Sequence, residues 1–186
     1  RKVSIPIIAG GNIKKLEDVK KFLYAGAKQA VLNFSKSSSV TLIEEVSKRF
    51  GKDRILASLY DFDALFKQQK LIEEYSAGIV FMHRVDMNSV SNVTELPYIV
   101  LTDTMEDQEI FKILKASGAS GVSGKFVSQK EFAFDKFKQK CADEGIKMTS
   151  FESMMEFSEF KLNSDGLIPV IVQDYKTNSV LMLAYM

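Results

Sequence analysis

Ile5-Pro6-Ile7-Ile8-Ala9-Gly10-Gly11-Asn12-Ile13, followed by the segment Leu16–Tyr24 and by Gly26, reads as a strand, a tight turn and a helix. Ile5–Ala9 is continuously apolar rather than alternating, which is how a strand covered on both faces reads. In Leu16–Tyr24, Leu16, Val19, Phe22 and Leu23 share one helical face, and Gly26 follows as a stop. The same unit then repeats. Further strands are expected at Gln29–Asn33, Arg54–Leu59, Gly78–Met82, Pro97–Leu101 and Ser120–Ser123. The helices between them are expected at Thr41–Phe50, Asp63–Tyr75, Met105–Ala116 and Gln129–Glu144, with Gly51, Gly118 and Gly145 as stops.

Strand–helix repeats of this kind give parallel βα units with right-handed crossovers. The strand starts at residues 5, 29, 54, 78, 97 and 120 imply a period near that of a β/α barrel. Six units are present. The fold is therefore α/β, either an open doubly wound sheet or an incomplete (β/α) barrel. The chain begins with Arg1 and stops at Met186 inside an apolar run, so both ends are expected to be cut. That expectation favours the barrel.

Past the last unit the pattern changes. Lys147–Phe151 is a candidate short strand, and Glu152–Leu162 is irregular. Asn163-Ser164-Asp165-Gly166 is a turn cluster. Leu167–Gln173 and Val180–Tyr185 then read as a β-hairpin that starts a second domain. The expected organisation is a βα domain over 1–150, a linker over 151–165 and a truncated second domain over 166–186.

The 186 residues carry a net charge of +1, with the basic residues spread out rather than clustered, so no nucleic-acid partner is expected. No apolar run has membrane-spanning length, and no membrane partner is expected. A single cysteine, Cys141, leaves no partner for a disulfide and fits a reduced, cytoplasmic setting.

Two stretches resemble known families. Ile5–Ile13 with Leu16-Glu17-Asp18-Val19 and Tyr24-Ala25-Gly26-Ala27 is similar to the third βα unit of two histidine-pathway barrels. These are the phosphoribosylformimino-aminoimidazole-carboxamide-ribotide isomerase and the imidazole-glycerol-phosphate synthase cyclase. Val31-Leu32-Asn33-Phe34-Ser35, with Ile43-Glu44-Glu45 and Arg49-Phe50-Gly51, resembles their fourth unit. The second stretch, Gly166–Asp174 with Val180–Met186, resembles the opening of phosphoribosyl-AMP cyclohydrolases. The combination resembles the bifunctional phosphoribosyl-AMP cyclohydrolase/phosphoribosyl-ATP pyrophosphatase family.

That resemblance implies a histidine-biosynthesis enzyme acting on a phosphoribosyl-nucleotide substrate. It implies zinc and magnesium in the full-length enzyme, with no cofactor in this stretch, and a homodimer formed through the cyclohydrolase domain. The expected metal-binding segment lies beyond Met186, so the present residues are expected to be inactive as a cyclohydrolase. Two alternatives stand beside this reading: an isomerase- or cyclase-like barrel, and a non-catalytic domain that senses or scaffolds phosphoribosyl ligands.

The barrel resemblance also nominates site residues. The family acid at the end of the fifth strand falls on Tyr60, with Asp61 one residue late. A one-residue slip turns a side chain to the other face, so Asp61 is either an acid on a bulged strand end or a helix N-cap. His83 ends a strand and is either an acid/base group or a surface side chain. Gly10 and Gly11 precede a helix and offer a phosphate site or a simple turn. Asn33 and Ser35 add possible donors there. The family's second phosphate glycines are missing after Thr102-Asp103-Thr104, and Gly121, Ser123 and Gly124 are a partial remnant.

Overall fold

The computed structural model describes residues 5–130, 132–148, 157–174, 177 and 179–186. The chain divides into two compact units, Arg1–Met148 and Thr149–Met186. In the first, six parallel strands run β1 (Ile8–Gly10), β2 (Gln29–Asn33), β3 (Ile55–Leu59), β4 (Gly78–Phe81), β5 (Tyr98–Thr102) and β6 (Ala119–Gly124). Each strand pairs only with its sequence neighbours, in the order β1-β2-β3-β4-β5-β6. A doubly wound sheet would reverse that order at a switch point. The sheet winds one way and curls into an incomplete β/α barrel.

The helices are α1 (Leu16–Tyr24), α2 (Ser37–Phe50), α3 (Phe62–Tyr75), α4 (Met87–Ser91), α5 (Asp107–Lys115) and α6 (Phe134–Asp143). α1 has the bounds that its periodicity predicts. α2 begins four residues earlier than expected, at a serine run whose apolar content is too low for a periodic signal. α4 is a single turn, capped by the Asp86 carboxylate accepting from the Asn88 and Ser89 N–H groups. It has too few residues to show a period. α6 begins at Phe134, five residues later than the expected Gln129, and a 3-10 turn, Lys125–Ser128, lies just ahead of the expected start. Of the candidate strand Lys147–Phe151, Lys147 and Met148 are not in a strand, and the rest lies outside the described residues.

The strands are not all covered on both faces, as their apolar runs suggest. β3 and β4 are buried throughout, whereas β2 and β5 alternate between buried and half-buried positions. The reason is that the core lies on the convex side of the sheet. Ala30, Leu32, Ile55, Ala57, Leu59, Ile79, Phe81 and Val100 point there and pack against Val19, Ile43, Val46, Leu65 and Ile72 from the helices. Each of the valine, leucine, isoleucine and phenylalanine side chains among them contributes about 1.5–3 kcal/mol on burial. A second cluster joins Ile110, Phe111, Phe126, Phe137 and Ile146 around Cys141. Burial pushes the Cys141 thiol up from its ordinary range, so it stays a neutral, small apolar group.

In the second unit, the predicted turn forms, with the Asn163 carboxamide oxygen accepting from the Asp165 and Leu167 N–H groups. β7 (Pro169–Gln173) and β8 (Val180–Tyr185) pair antiparallel, with a register shift at Val172/Gln173. Ile171, Leu181 and Leu183 are each more than half exposed. A two-stranded hairpin with bare apolar faces is marginal in water by itself.

Candidate functional site

Because side chains alternate along a strand, the residues skipped by the convex core face the hollow of the sheet. Across the sheet they form registered rows. Asn33 pairs with Ser58, Ser58 with Val80, Val80 with Ile99, and Leu101 with Ser123. Continuing β3 by the same alternation brings Tyr60 inward at the carboxyl end. In β/α barrels this end, built from the loops that follow the strands, is where ligands bind.

Two clefts open there. One, of about 320 Å³, is lined by Gly10, Gly11, Asn12, Asn33, Lys36 and Ser58, among others. The other, of about 850 Å³, is lined by His83, Arg84, Thr102, Ser123, Gly124 and Lys125, among others. Met82 and Leu101 line both, so the two clefts are adjacent.

The glycine turn in the smaller cleft has a steric cause. A Cβ on Gly10 would lie 2.9 Å from the Val31 Cβ, and Gly11 has φ +126°. Asn12 follows at φ +50°. The N–H groups of Lys14 and Lys15, just ahead of α1, both donate to the Asp18 carboxylate at 3.1 and 3.3 Å. These two N–H groups ahead of the helix are therefore already taken, and the cleft itself is lined by the glycine turn and Lys36. Asn33 reaches the cleft. Ser35 does not line it, because its N–H and hydroxyl donate to the Asn33 Oδ1 at 3.0 and 2.6 Å.

The larger cleft depends on Gly124. Its φ is +150° and a Cβ would fall 1.8 Å from the Thr102 carbonyl oxygen, so only glycine fits between β5 and the turn that follows β6. Both cations of this cleft are paired. Lys125 lies 3.3 Å from Asp103, and Arg84 donates to Glu109 at 3.2 Å. The Thr104 hydroxyl, followed by Arg84, holds the Glu109 carboxyl below its ordinary range.

Asp61 lines neither cleft. Its carboxylate accepts from the Ala64 N–H at 2.8 Å and caps α3. His83 is exposed at the rim of the larger cleft, with its ring against Tyr60. Lys36, Ser58, Arg84 and Lys125 were missed by sequence reasoning. Ser58 carries a usable signal, as a polar side chain at an inward position of an otherwise apolar strand. Among the described residues no three His, Cys, Asp or Glu side chains converge on a metal position, and Cys141 is enclosed in an apolar cluster. These residues do not fit a zinc or magnesium ion. No helix among them is long and apolar enough to cross a membrane.

The comparisons with known proteins agree with this geometry. The family model described as "Histidine biosynthesis protein" matches residues 1–117. The imidazole glycerol phosphate synthase subunit HisF of an Exiguobacterium species is 42% identical over 67 residues, covering 36% of this chain and 25% of that protein. The same subunit of Parabacteroides distasonis is 43% identical over 78 residues, covering 42% and 30%. That of Methanocaldococcus jannaschii is 22% identical over 199 residues, covering 79% of this chain and 73% of the relative. The chain thus spans about a quarter of the Exiguobacterium relative's length. These matches favour the isomerase- or cyclase-like reading over the cyclohydrolase reading. With its one-way sheet order and a family match over most of its length, the chain belongs to the histidine biosynthesis protein family.

Proposed function

We propose that the first unit is a cyclase-like barrel that binds a phosphoribosyl ligand at the carboxyl ends of its strands without turning it over. The observation that carries this reading is the pair of adjacent clefts joined at Met82 and Leu101. One has a glycine turn and Lys36. The other has Gly124, Lys125 and the hydroxyls of Ser123 and Thr102. A ligand with a phosphate at each end needs two such places. The absence of turnover follows from β3. Tyr60 stands where the barrel resemblance expects an acid, and the Asp61 carboxylate is committed to the cap of α3. Titrating the chain with a bisphosphorylated phosphoribosyl carboxamide ribotide tests this reading. Saturable binding without product supports it. Turnover would restore a working isomerase or cyclase, and no binding would leave a scaffold.

A second reading is favoured by the hairpin of the second unit. Its β7–β8 pair agrees with the resemblance of Gly166–Met186 to the opening of a cyclohydrolase domain. On this reading the whole protein opens the adenine ring of phosphoribosyl-AMP and hydrolyses phosphoribosyl-ATP. Zinc and magnesium are then held by other segments, and two copies pair through the cyclohydrolase domain. Sequencing the reading frame on either side of this stretch tests it. Asp and Cys ligand motifs downstream would support it, and a stop codon after Met186 would end it.

A further inference from the structure

The 3-10 turn after β6 has two sides. Lys125 and Ser128 line the larger cleft at the mouth of the barrel, whereas Phe126 and Val127 line a separate cavity of about 270 Å³. The strand divides likewise, with Ser123 and Gly124 at the mouth and residues 119–122 at the cavity. Phenyl rings of Phe126, Phe132, Phe134 and Phe137 surround this cavity. Phe132 meets Phe126 and Phe134 edge to face, with centroids 5.6 and 4.7 Å apart. Phe126 and Phe137 are buried, but Phe134 is 54% exposed and belongs to neither apolar cluster. Packed interiors rarely leave a void larger than a water molecule. An apolar cavity of about 150 Å³ takes up benzene, so this one has room for a ring and a short arm. Two lysines stand at its rim. Lys138 is half-buried one helical turn after Phe134, and Lys147 follows the buried Ile146. Among the described residues neither has an ion pair, although nearby Lys115 and Lys140 hold Glu144 and Asp107. No carboxylate is among the described residues that line the cavity, and the Ser120 hydroxyl already donates to the Tyr98 carbonyl at 3.0 Å.

We infer that this cavity is a binding site for a small aromatic carboxylate, a single ring with a short arm that ends in a carboxyl group. The ring lies among the phenylalanines, whose mutual tilts present both edges and faces to it. The carboxylate meets the Lys138 and Lys147 ammonium groups at the rim. A cation held against an apolar wall gives up part of its hydration, and a charge-assisted hydrogen bond from it to a carboxylate offsets that loss. A cationic ligand is repelled by both lysines. A neutral ring leaves them unmatched, and an aliphatic acid satisfies them without the ring-to-ring geometry. The assignment uses none of the groups in the function proposed above, so the two stand or fall separately.

The test uses the full 186-residue chain with 3-phenylpropionate, its amide and hexanoate as probes. Calorimetry gives the dissociation constants. The Met148 methyl group lines the cavity and, assigned with Met148→Leu, gives a site-specific NMR readout. The aromatic acid is expected to bind about tenfold more tightly than its amide and severalfold more tightly than hexanoate. It should also shift the Met148 methyl line by ring current. The double variant Lys138→Met, Lys147→Gln should bring the acid down to the affinity of the amide and leave the amide unchanged. Lys138→Arg alone should keep the preference. Both changes lie at the rim, so the denaturation midpoint should hold. Phe134→Ala should weaken acid and amide alike. Equal affinity for acid and amide, a preference that survives the double variant, or a Met148 line unmoved by the acid overturns the site. Hexanoate binding as tightly as 3-phenylpropionate overturns the aromatic assignment.

Discussion

The two faces of the six-stranded sheet are built from the same strands and do different jobs. Along β3, Ile55, Ala57 and Leu59 enter the convex core, while Leu56, Ser58 and then Tyr60 turn to the hollow. Along β5, Tyr98 and Val100 are buried, and Ile99 and Leu101 are half-exposed. The convex face is continuous with the helices and carries the packing. The concave face has a buried hydroxyl at Ser58, a glycine at each end of the row of strands, and paired charges at its rim. A fold that buries one face can leave the other free for polar groups, since those groups do not have to be satisfied inside the core. The comparison therefore predicts that substitutions on the convex face move stability, and that those on the concave face move ligand affinity.

The largest effect expected is on the convex side. Ile79→Ala removes a fully buried side chain at the centre of the sheet and should cost about 2–5 kcal/mol. This is read as a fall in the denaturation midpoint followed by circular dichroism. Leu101→Ala, on the hollow side of the adjacent strand, should cost clearly less while weakening ligand binding. Equal costs would mean that the hollow is core after all. Next comes Gly124→Ala, which places a methyl 1.8 Å from the Thr102 carbonyl oxygen at φ +150°. The dihedral alone brings strain of about 1–3 kcal/mol, the overlap with the Thr102 backbone adds to it, and phosphate binding should be lost. Retained binding would remove Gly124 from the site.

Asp61→Ala sharpens the comparison at a single residue. The Ala64 N–H loses its acceptor, and about 1 kcal/mol of stability should go with it. Ligand affinity should not change, because the carboxylate lines neither cleft. A drop in affinity or in turnover would restore Asp61 as a reacting acid and break the assignment.

How much of this could be read from the sequence depended on repetition. The βα units were legible because most strands are apolar and the longer helices carry a stripe. α1 and β2 even have the bounds expected of them. Three features were not legible, each for a local reason. The single-turn α4 is too short to show a period, and the serine-rich start of α2 has little apolar content to set one. Continuous apolar runs in β2 and β5 hid the difference between the faces, because Val31, Ile99 and Leu101 are apolar and yet half-exposed in the hollow. Of the residues that line the two clefts, Gly10, Gly11, Asn33 and Gly124 could be picked out from their places at strand ends. The cleft that gathers His83 with Lys125 was not, since β4 and β6 meet it only through the curl of the sheet. Ser35 illustrates a further gap. Its donor groups were visible in the sequence, but their commitment to Asn33 depends on the local turn.

The smallest effect separates the rim charges from the hollow itself. Asp103 and Lys125 are both about three-quarters exposed, so their pair adds little to stability. Asp103→Asn should leave the denaturation midpoint almost unchanged. It frees Lys125 beside Gly124, and phosphate affinity should rise a few-fold at low salt and lose that gain as salt is added. Acid should not do the same through the neighbouring pair. Glu109 is held below the ordinary carboxylate range, first by the Thr104 hydroxyl and then by Arg84. A carboxyl whose folded value is depressed stays ionised until the pH falls below that range, and any stability tied to it is lost only there. Arg84 therefore stays paired through mildly acidic solution. Phosphate affinity, after correction for the ligand's own protonation, should be flat across that interval. If it climbs there instead, Glu109 is not holding Arg84, and the rim would belong functionally to the hollow.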